Sequence, residues 1–404
     1  MSDTDQTRRV AHPTLTLSAA RTLGLAGAGL SLIAACYGLA RFAYGLFLPA
    51  FRDTFALDAA QAGLIAATSY AAYCVGAVAA SVATPRFGAR AVAVAAGSLA
   101  TAGTALIALS PTSLVLTVGV AVAGASTGLA SPPLAHAIAT RVAPSHRDRV
   151  QTIVNAGTGL GVAISGLVAL LAEEHWRAAW LTFAAVSATV TMWVWFRVPD
   201  DVENPPTAAT WTGHDQTRHA GLPPGAPRLF GAATIVGAAT AATWTFGQEL
   251  LETAGGHSHT LATIAWIALG ACGLLGAASG ELVRRAGLRR AWAVSMPAMC
   301  GATALLAAIP RQPAVAVAAS AVFGAVYIAL TGILLIWSTH VYPGTPAVGV
   351  GLTFLLIAVG QAAAAPLLGF VADRTSLTVS FWISAGLALG AGALLPPGRP
   401  RTTA

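Results

Sequence analysis

The sequence predicts an all-α membrane protein with twelve transmembrane helices, arranged as two pseudo-symmetric six-helix bundles. Three observations predict this fold: the composition, twelve long apolar runs, and one polar segment that separates the runs into two sets of six. Of the 404 residues, 56% are hydrophobic and 9% are charged, and the mean hydropathy is +0.70. A soluble globular chain carries about 25% charged residues. The net charge is +7, but the basic residues form no patch interleaved with aromatic residues, so nucleic-acid binding is not expected.

Each apolar run is long enough to cross a bilayer, which takes about 20 residues. The runs cover residues 22–49, 59–83, 90–110, 112–140, 151–172, 177–198, 229–252, 260–283, 291–309, 313–341, 347–371 and 376–396. Between the sixth and seventh runs the chain is polar and rich in proline, which is typical of a linker. We therefore expect a cytoplasmic tail over 1–21, a bundle over 22–198, a cytoplasmic linker over 199–228, a second bundle over 229–396 and a cytoplasmic tail over 397–404.

The distribution of arginine predicts the orientation. All 22 basic residues are arginine, and Arg41 alone lies away from the ends of a run. The segments on the side of the two termini hold seventeen arginines, whereas the opposite side holds four, namely Arg52, Arg177, Arg311 and Arg374. Positively charged segments stay in the cytoplasm. Both termini are therefore predicted to be cytoplasmic, in a protein of the plasma membrane.

The two halves of the chain repeat each other. Arg86-Phe-Gly88-Ala-Arg90 follows the second run, and Arg285-Ala-Gly287-Leu-Arg289 follows the eighth, at an offset of 199 residues (285 − 86). The same offset relates Gly161 to Gly360 and Glu174 to Asp373. A constant offset across several landmarks indicates an internal repeat, and transporters built from repeats bind their substrate between the two halves.

Twelve spans, a central linker and a doubled basic loop resemble the major facilitator superfamily. The family loop G-x-L-x-D-R-x-G-R-R is matched at Arg86, Gly88 and Arg90, while Pro85 stands at its acidic position. The resemblance implies that Arg86, Gly88, Arg90, Arg285, Gly287 and Arg289 form a cytoplasmic gate. The first run, Gly38-x-x-Arg41-Phe42-x-Tyr44, is similar to the bacterial YbfB/YjiJ-like branch, which resembles drug-efflux and cyanate-type permeases.

Arg41 is the candidate at the centre of the site. It lies eight residues before Pro49, about 12 Å from the end of its helix, and a charge at that depth should face a polar cavity or a partner. In an α-helix, Tyr37 and Tyr44 share its face. The resemblance implies that helices one, four, seven and ten line a central cavity. The candidates are Arg41, Tyr37, Tyr44, Tyr70, Tyr73, Thr127, Ser131, Thr240, Trp244, Gln248, Tyr327, Thr331 and Gln361.

Proton coupling has four candidate residues, because no run carries an acid at its centre. They are Glu249 and Glu252 at the outer end of the seventh run, and His136 and His340 near cytoplasmic helix ends. The sequence contains no cluster with metal-ligand spacing and no Walker loop, so we expect neither a cofactor nor an enzymatic activity.

The sequence therefore indicates a secondary transporter that works by alternating access. The predicted cavity suits export of a hydrophobic or amphipathic small molecule, with coupling to protons left open. Import of a small anion bound by Arg41 is the alternative, and a membrane sensor that transports nothing ranks third. Beyond substrate and lipid bilayer no partner is expected, and the family resemblance implies a monomer.

Overall fold

The computed structural model describes residues 16–172, 175–200 and 222–396, and within these ranges every regular element is a helix. Short 3₁₀ turns over Pro144–His146 and Leu274–Ala278 join or extend the longer helices. The helices are α1 (Ala19–Leu46), α2 (Leu48–Phe55), α3 (Ala59–Ala108), α4 (Ser113–Arg141), α5 (Arg147–Ala172), α6 (Trp176–Arg197), α7 (Ala226–Thr253), α8 (His259–Gly273), α9 (Ser279–Ala286), α10 (Leu288–Ala308), α11 (Pro313–Val341), α12 (Pro346–Arg374) and α13 (Leu377–Gly392).

Ten helices of the described chain are long and apolar enough to cross a membrane. One of them, α3, has 50 residues and contains the predicted runs 59–83 and 90–110. Only Gly88 interrupts it, with φ 82° and ψ 160°. Helix α13 is apolar but shorter, at 16 residues. The predicted linker lies largely outside the described residues, as do most of the N-terminal tail and the whole C-terminal tail.

Polar side chains and prolines fix several helix starts. The Asp58 side chain accepts a hydrogen bond from the backbone amide of Gln61, and the Gln61 side chain accepts one from the backbone amide of Asp58, which completes a capping box on α3. Ser258 and Ser376 cap α8 and α13, where each side chain accepts one hydrogen bond from a backbone amide of the first turn. Since the first amides of a helix have no internal partner, these bonds set where each span begins.

Helix α1 is not α-helical throughout. Residues Ala34–Phe42 form a π-helix, with α-helix before and after it. A π-helix closes each turn over five residues instead of four, and it is found mostly at functional sites. Residues seven apart, such as Tyr37 and Tyr44, therefore no longer share a face. The expectation that Tyr37, Arg41 and Tyr44 share one face is wrong for Tyr44, whose hydroxyl bonds to the Ala62 carbonyl.

Successive connections between helices lie at alternating ends of the bundle. The residues near these connections therefore define two ends, which differ in their contacts. We call the end with Arg52, Glu249 and Asp373 the sealed end. The opposite end, with Gly88 and Gly287, is the open end. Glycines at the sealed end bring backbones together: a Cβ on Gly45 would overlap the carbonyl of Trp244, and one on Gly369 would overlap that of Ala59. Such contacts let apolar helices pack closely.

Candidate functional site

A cavity of about 340 Å³ lies between the helices of the bundle. Arg41 and Gln361 lie at its inner end. Towards the open end the cavity reaches Thr152, Asn155 and Gly280, which are solvent-exposed. It is therefore accessible from that end. The other polar and aromatic residues of its wall are Tyr37, Phe42, Tyr73, Ser131, Thr158, Ser279, Tyr327, Thr331 and Phe354.

Arg41 forms the charged part of this wall. Its side chain is 7% exposed, and its Nη2 donates a hydrogen bond to Oε1 of Gln361 over 3.1 Å. The guanidinium carbon lies 4.6 Å from the ring centre of Tyr73, 4.9 Å from that of Tyr70 and 5.2 Å from that of Phe42. No ion pair between described residues includes Arg41, and its Nε finds no hydrogen-bond partner among them. Aromatic rings, rather than an acid, therefore stabilise this charge.

An aromatic cluster closes the inner end of the cavity. The Phe42 ring stacks on Trp244 with 4.0 Å between ring centres, and Tyr327 meets Trp244 edge-on at 5.1 Å. Phe323 and Trp266 surround the same indole. Because Phe42 belongs to α1 and the other rings to α7, α8 and α11, the cluster joins helices that are distant in sequence.

Seven of the thirteen candidate residues line the cavity: Tyr37, Arg41, Tyr73, Ser131, Tyr327, Thr331 and Gln361. The hydroxyls of Tyr37 and Ser131 are hydrogen-bonded to each other at 3.0 Å, which links α1 to α4. These residues come from five helices, and the structure brings them together around one space.

The other six candidates lie behind the wall. The Tyr44 hydroxyl donates to the Ala62 carbonyl, and that of Thr127 donates to the Cys36 carbonyl. Thr240 bonds within its own helix, while Gln248 donates to Glu252 and Thr263. Tyr70 and Trp244 contact wall residues from behind. The Tyr70 ring lies against the Arg41 guanidinium, and the Trp244 ring stacks on Phe42.

Two of the proton-coupling candidates belong to the sealed end. Glu249 on α7 is ion-paired with Arg52 on α2, and its side chain is 6% exposed whereas that of Arg52 is 26% exposed. Glu252 pairs instead with His259 at 2.9 Å. Asp373 accepts hydrogen bonds from the amides of Ala59 and Ala60, each over 2.8 Å, so that α12 caps the start of α3. The sealed end is thus held by charged groups.

The remaining candidates lie towards the open end. His340 is exposed and its Nδ1 contacts the Ile336 carbonyl, and His136 lies on α4 near Arg141. Gly88 and Gly287 share nearly the same backbone angles, φ 82° in both and ψ 160° and 154°. Arg90 donates to the Val198 carbonyl and Asp200, and Arg285 pairs with Glu281. Arg86 and Arg289 are exposed on either side of these glycines.

Several wall residues were not predicted from the sequence. Thr152, Asn155 and Thr158 recur on one face of α5, and Phe354 and Ile357 lie on α12 beside the predicted Gln361. The helical spacing of the polar residues on α5 is the signal that could have identified them. The expected cavity helices did not include α5, and the π-helix of α1 adds Phe42 to the wall.

Similarity to known proteins was found at the level of family and fold. The family model for the Major Facilitator Superfamily matches residues 30–365. No curated protein matches the sequence. A solved structure of a bacterial homolog of the human lysosomal transporter Spinster, inward-facing and unoccupied, superposes with a TM-score of 0.75 at 16% identity, over 94% of this chain and 97% of that one.

Two further solved structures share the fold. The D-xylose–proton symporter gives a TM-score of 0.73 at 15% identity, over 96% of this chain and 99% of that one. The nucleoside transporter NupG gives 0.69 at 14% identity, over 93% and 98%. Such low identities establish a shared fold and carry no information about substrate. The family match, in contrast, covers most of the chain, and the predicted resemblance is confirmed. The chain belongs to the Major Facilitator Superfamily and is a multi-span membrane transporter rather than an enzyme.

Proposed function

We propose that the protein is a secondary active transporter that exports a small hydrophobic or amphipathic organic molecule by alternating access. The observation that carries this proposal is the cavity itself. It is lined mainly by aromatic and small apolar residues, it contains one buried charge at Arg41, and it opens at one end only. A volume of about 340 Å³ lies near the lower end of the range for small-molecule sites.

The architecture behind this proposal is two six-helix halves, residues 22–198 and 229–396, with twelve spans. Counting α3 as two spans across Gly88 and adding α13 to the ten long helices gives that number (10 + 1 + 1). The matching backbone angles of Gly88 and Gly287 support the repeat. With both termini cytoplasmic in the plasma membrane, the open end faces the cytoplasm.

Direction and coupling are further parts of the proposal. Export fits a cavity that receives its solute from the cytoplasm, and the YbfB/YjiJ-like motif of the first run supports it. Glu249 is the best candidate for proton coupling, because its ion pair with Arg52 joins the two halves at the sealed end. A proton on Glu249 removes the charge that holds Arg52, which favours opening there.

The alternative is import of a small anion with Arg41 as its binding group. The absence of any acid paired with Arg41 among the described residues favours this alternative, since an arriving anion would neutralise the charge. A planar guanidinium also binds carboxylates and phosphates through two parallel hydrogen bonds, which lysine cannot reproduce.

Thermal-shift measurements with a panel of anionic, neutral and cationic solutes test these proposals, because a ligand that binds only the folded state raises its melting temperature. Wild type, Arg41→Ala and Arg41→Lys are compared with Arg177→Ala. Arg177 also lies over an aromatic ring, 4.2 Å from Trp176, but it is far from the cavity. Export of apolar solutes predicts stabilisation that survives Arg41→Lys, whereas anion import predicts its loss in both Arg41 variants.

Transport in proteoliposomes completes the test. Movement of a stabilising solute away from the cytoplasmic face, driven by protons that move in the opposite direction, supports the main proposal. Uptake of an anion that Arg41→Ala abolishes supports the alternative. Binding of solutes without movement of any would overturn both and indicate a sensor.

A further inference from the structure

The hydrogen bond between Arg41 and Gln361 joins two elements that are far apart in the chain. It crosses 320 residues, from the π-helical part of α1 to the middle of α12. Gln361 is fully buried, and Arg41 is 93% buried (100 − 7). In the proposed two-half architecture this bond connects one half to the other at the inner end of the cavity. Anything that takes the place of Gln361 on Arg41 therefore also loosens the contact between the halves.

Gln361 satisfies the guanidinium poorly. It offers one neutral carbonyl oxygen to Nη2, and Nε is left without a hydrogen-bond partner among the described residues. A guanidinium presents a planar fork of donors that fits a carboxylate with two parallel bonds, whereas the single oxygen of Gln361 accepts only one. A ligand carboxylate that reaches Arg41 along the cavity can therefore displace the Gln361 oxygen.

The surroundings of Arg41 select for a flat, apolar body attached to that carboxylate. Phe42, Tyr73 and Tyr327 line the cavity beside the guanidinium, and the Phe42 and Tyr73 rings lie within 5.2 Å and 4.6 Å of its central carbon. Aromatic rings pack favourably on one another in stacked or edge-on arrangements. Inorganic anions gain nothing from such walls, and large ligands exceed the volume of about 340 Å³.

We propose that Gln361 is a placeholder on Arg41 for the carboxylate of a small aromatic monocarboxylate substrate, and that the substrate releases the contact between α1 and α12 by displacing it. This inference rests on the proposed transport function in the form in which Arg41 binds an anionic group of the substrate, and it names the substrate class. It also explains how binding favours a conformational change: the ligand binds more tightly to the state in which Gln361 has left Arg41.

Benzoate binding to the purified full-length protein tests the proposal, with benzamide as its neutral isostere. Wild type, Gln361→Ala, Gln361→Met, Gln361→Glu and Arg41→Ala are compared by titration calorimetry. Gln361→Met keeps the volume of the side chain without its acceptor, in case Gln361→Ala does not fold. Thr353→Val is the control, since Thr353 is a buried polar residue of the same helix that bonds only to Gly349.

Four results are expected. Wild type binds benzoate but not benzamide, and Thr353→Val behaves as wild type. Gln361→Ala and Gln361→Met bind benzoate about three- to tenfold more tightly, because a competing hydrogen bond has been removed. Gln361→Glu loses benzoate binding, because its own carboxylate occupies Arg41. Arg41→Ala loses it as well.

Three results would overturn the placeholder. The first is weaker benzoate binding in Gln361→Ala and Gln361→Met, which would make Gln361 a substrate donor. The second is equal binding of benzamide, or tighter binding of sulfate or phosphate than of benzoate. The third is no benzoate binding by either wild type or Gln361→Met. Transport separates this proposal from the previous one: benzoate that binds in the expected pattern but does not cross proteoliposomes overturns the transporter and leaves the placeholder intact.

Discussion

The sealed end and the open end of the bundle use their charges differently. At the sealed end Arg52 pairs with Glu249, and Asp373 binds the first amides of α3, so that each interaction joins helices that are far apart in the sequence. The open-end ion pairs formed by described residues do not join the two proposed halves: Arg90 of the first half pairs with Asp200 of the predicted linker. Glu281 pairs with Arg284 and Arg285 of its own helix. In a transporter of two halves, interactions that hold the halves together belong at the end that is closed.

The largest expected effect is that of a methyl group at a sealed-end glycine. In Gly369→Ala the new Cβ collides with the Ala59 carbonyl. Overpacking of this kind costs about 1–3 kcal/mol, which shifts a two-state equilibrium about 5- to 150-fold. We expect the sealed end to open. Spin labels at Asp53 and Arg311, both exposed at this end, should move apart in distance measurements on a cysteine-free background.

Gly360→Ala is the matched control on the same helix. Its Cβ would collide with the Thr234 carbonyl of α7, a contact within the proposed second half. It should lower the melting temperature and leave the label distance unchanged. An unchanged distance in Gly369→Ala, or an equal increase in both variants, would contradict the comparison between the two ends.

A smaller opening is expected for Arg52→Ala. It leaves the Glu249 carboxylate buried without its partner, at a cost of about 1–2 kcal/mol, less than for a fully buried pair because Arg52 is 26% exposed. The same label pair should report a sealed end that opens about tenfold more often. Arg374→Ala serves as control, since Arg374 lies over Phe370 of its own helix. If both variants leave the distances at wild-type values, the ion pair does not hold the sealed end.

At the open end we expect loss of stability without a change of conformation. Gly287→Ala places a Cβ at φ 82°, where an L-residue costs about 1–2 kcal/mol, although no atom lies within 4 Å of the new group. The melting temperature should fall and the sealed-end distance should stay constant. Gly351→Ala, with equal space and a helical backbone, should be neutral or slightly stabilising. Equal melting temperatures for the two variants would show that Gly287 is not needed to avoid backbone strain.

The smallest effect belongs to Glu281, which lies beyond the span His259–Gly276. Hydrogen bonds from Arg285 and Arg284 hold the pKa of its carboxyl below the usual range. A depressed pKa means that the stabilisation is present above the unfolded pKa, about 4.3, and is lost as the pH falls through the folded value. Because the pair is exposed, Glu281→Gln should be nearly neutral at pH 7. On acidification the melting temperature of wild type should fall slightly more than that of Glu281→Gln. A larger fall in Glu281→Gln would contradict this prediction.

The membrane class and the family could be predicted from the sequence because hydropathy and a loop motif are local signals. Arg41 and Gln361 could be found as candidates because a polar residue inside an apolar run is conspicuous. The position of Tyr44 could not be predicted, because no sequence pattern in Ala34–Phe42 indicates a π-helix, which rotates the residues that follow it. Nor could the pairing of Arg52 with Glu249, which lie 197 residues apart and were interpreted separately.

The partners of Arg41 also have a consequence for how the chain enters the membrane. Arg41 lies on α1, and an arginine at the centre of a helix that inserts alone costs about 2.5–3.5 kcal/mol. Tyr70 and Tyr73, which cover its guanidinium, follow on α3. Gln361 emerges only 320 residues later. Helix α1 is therefore stable in lipid only together with α3, and we expect these helices to insert as a unit rather than one at a time.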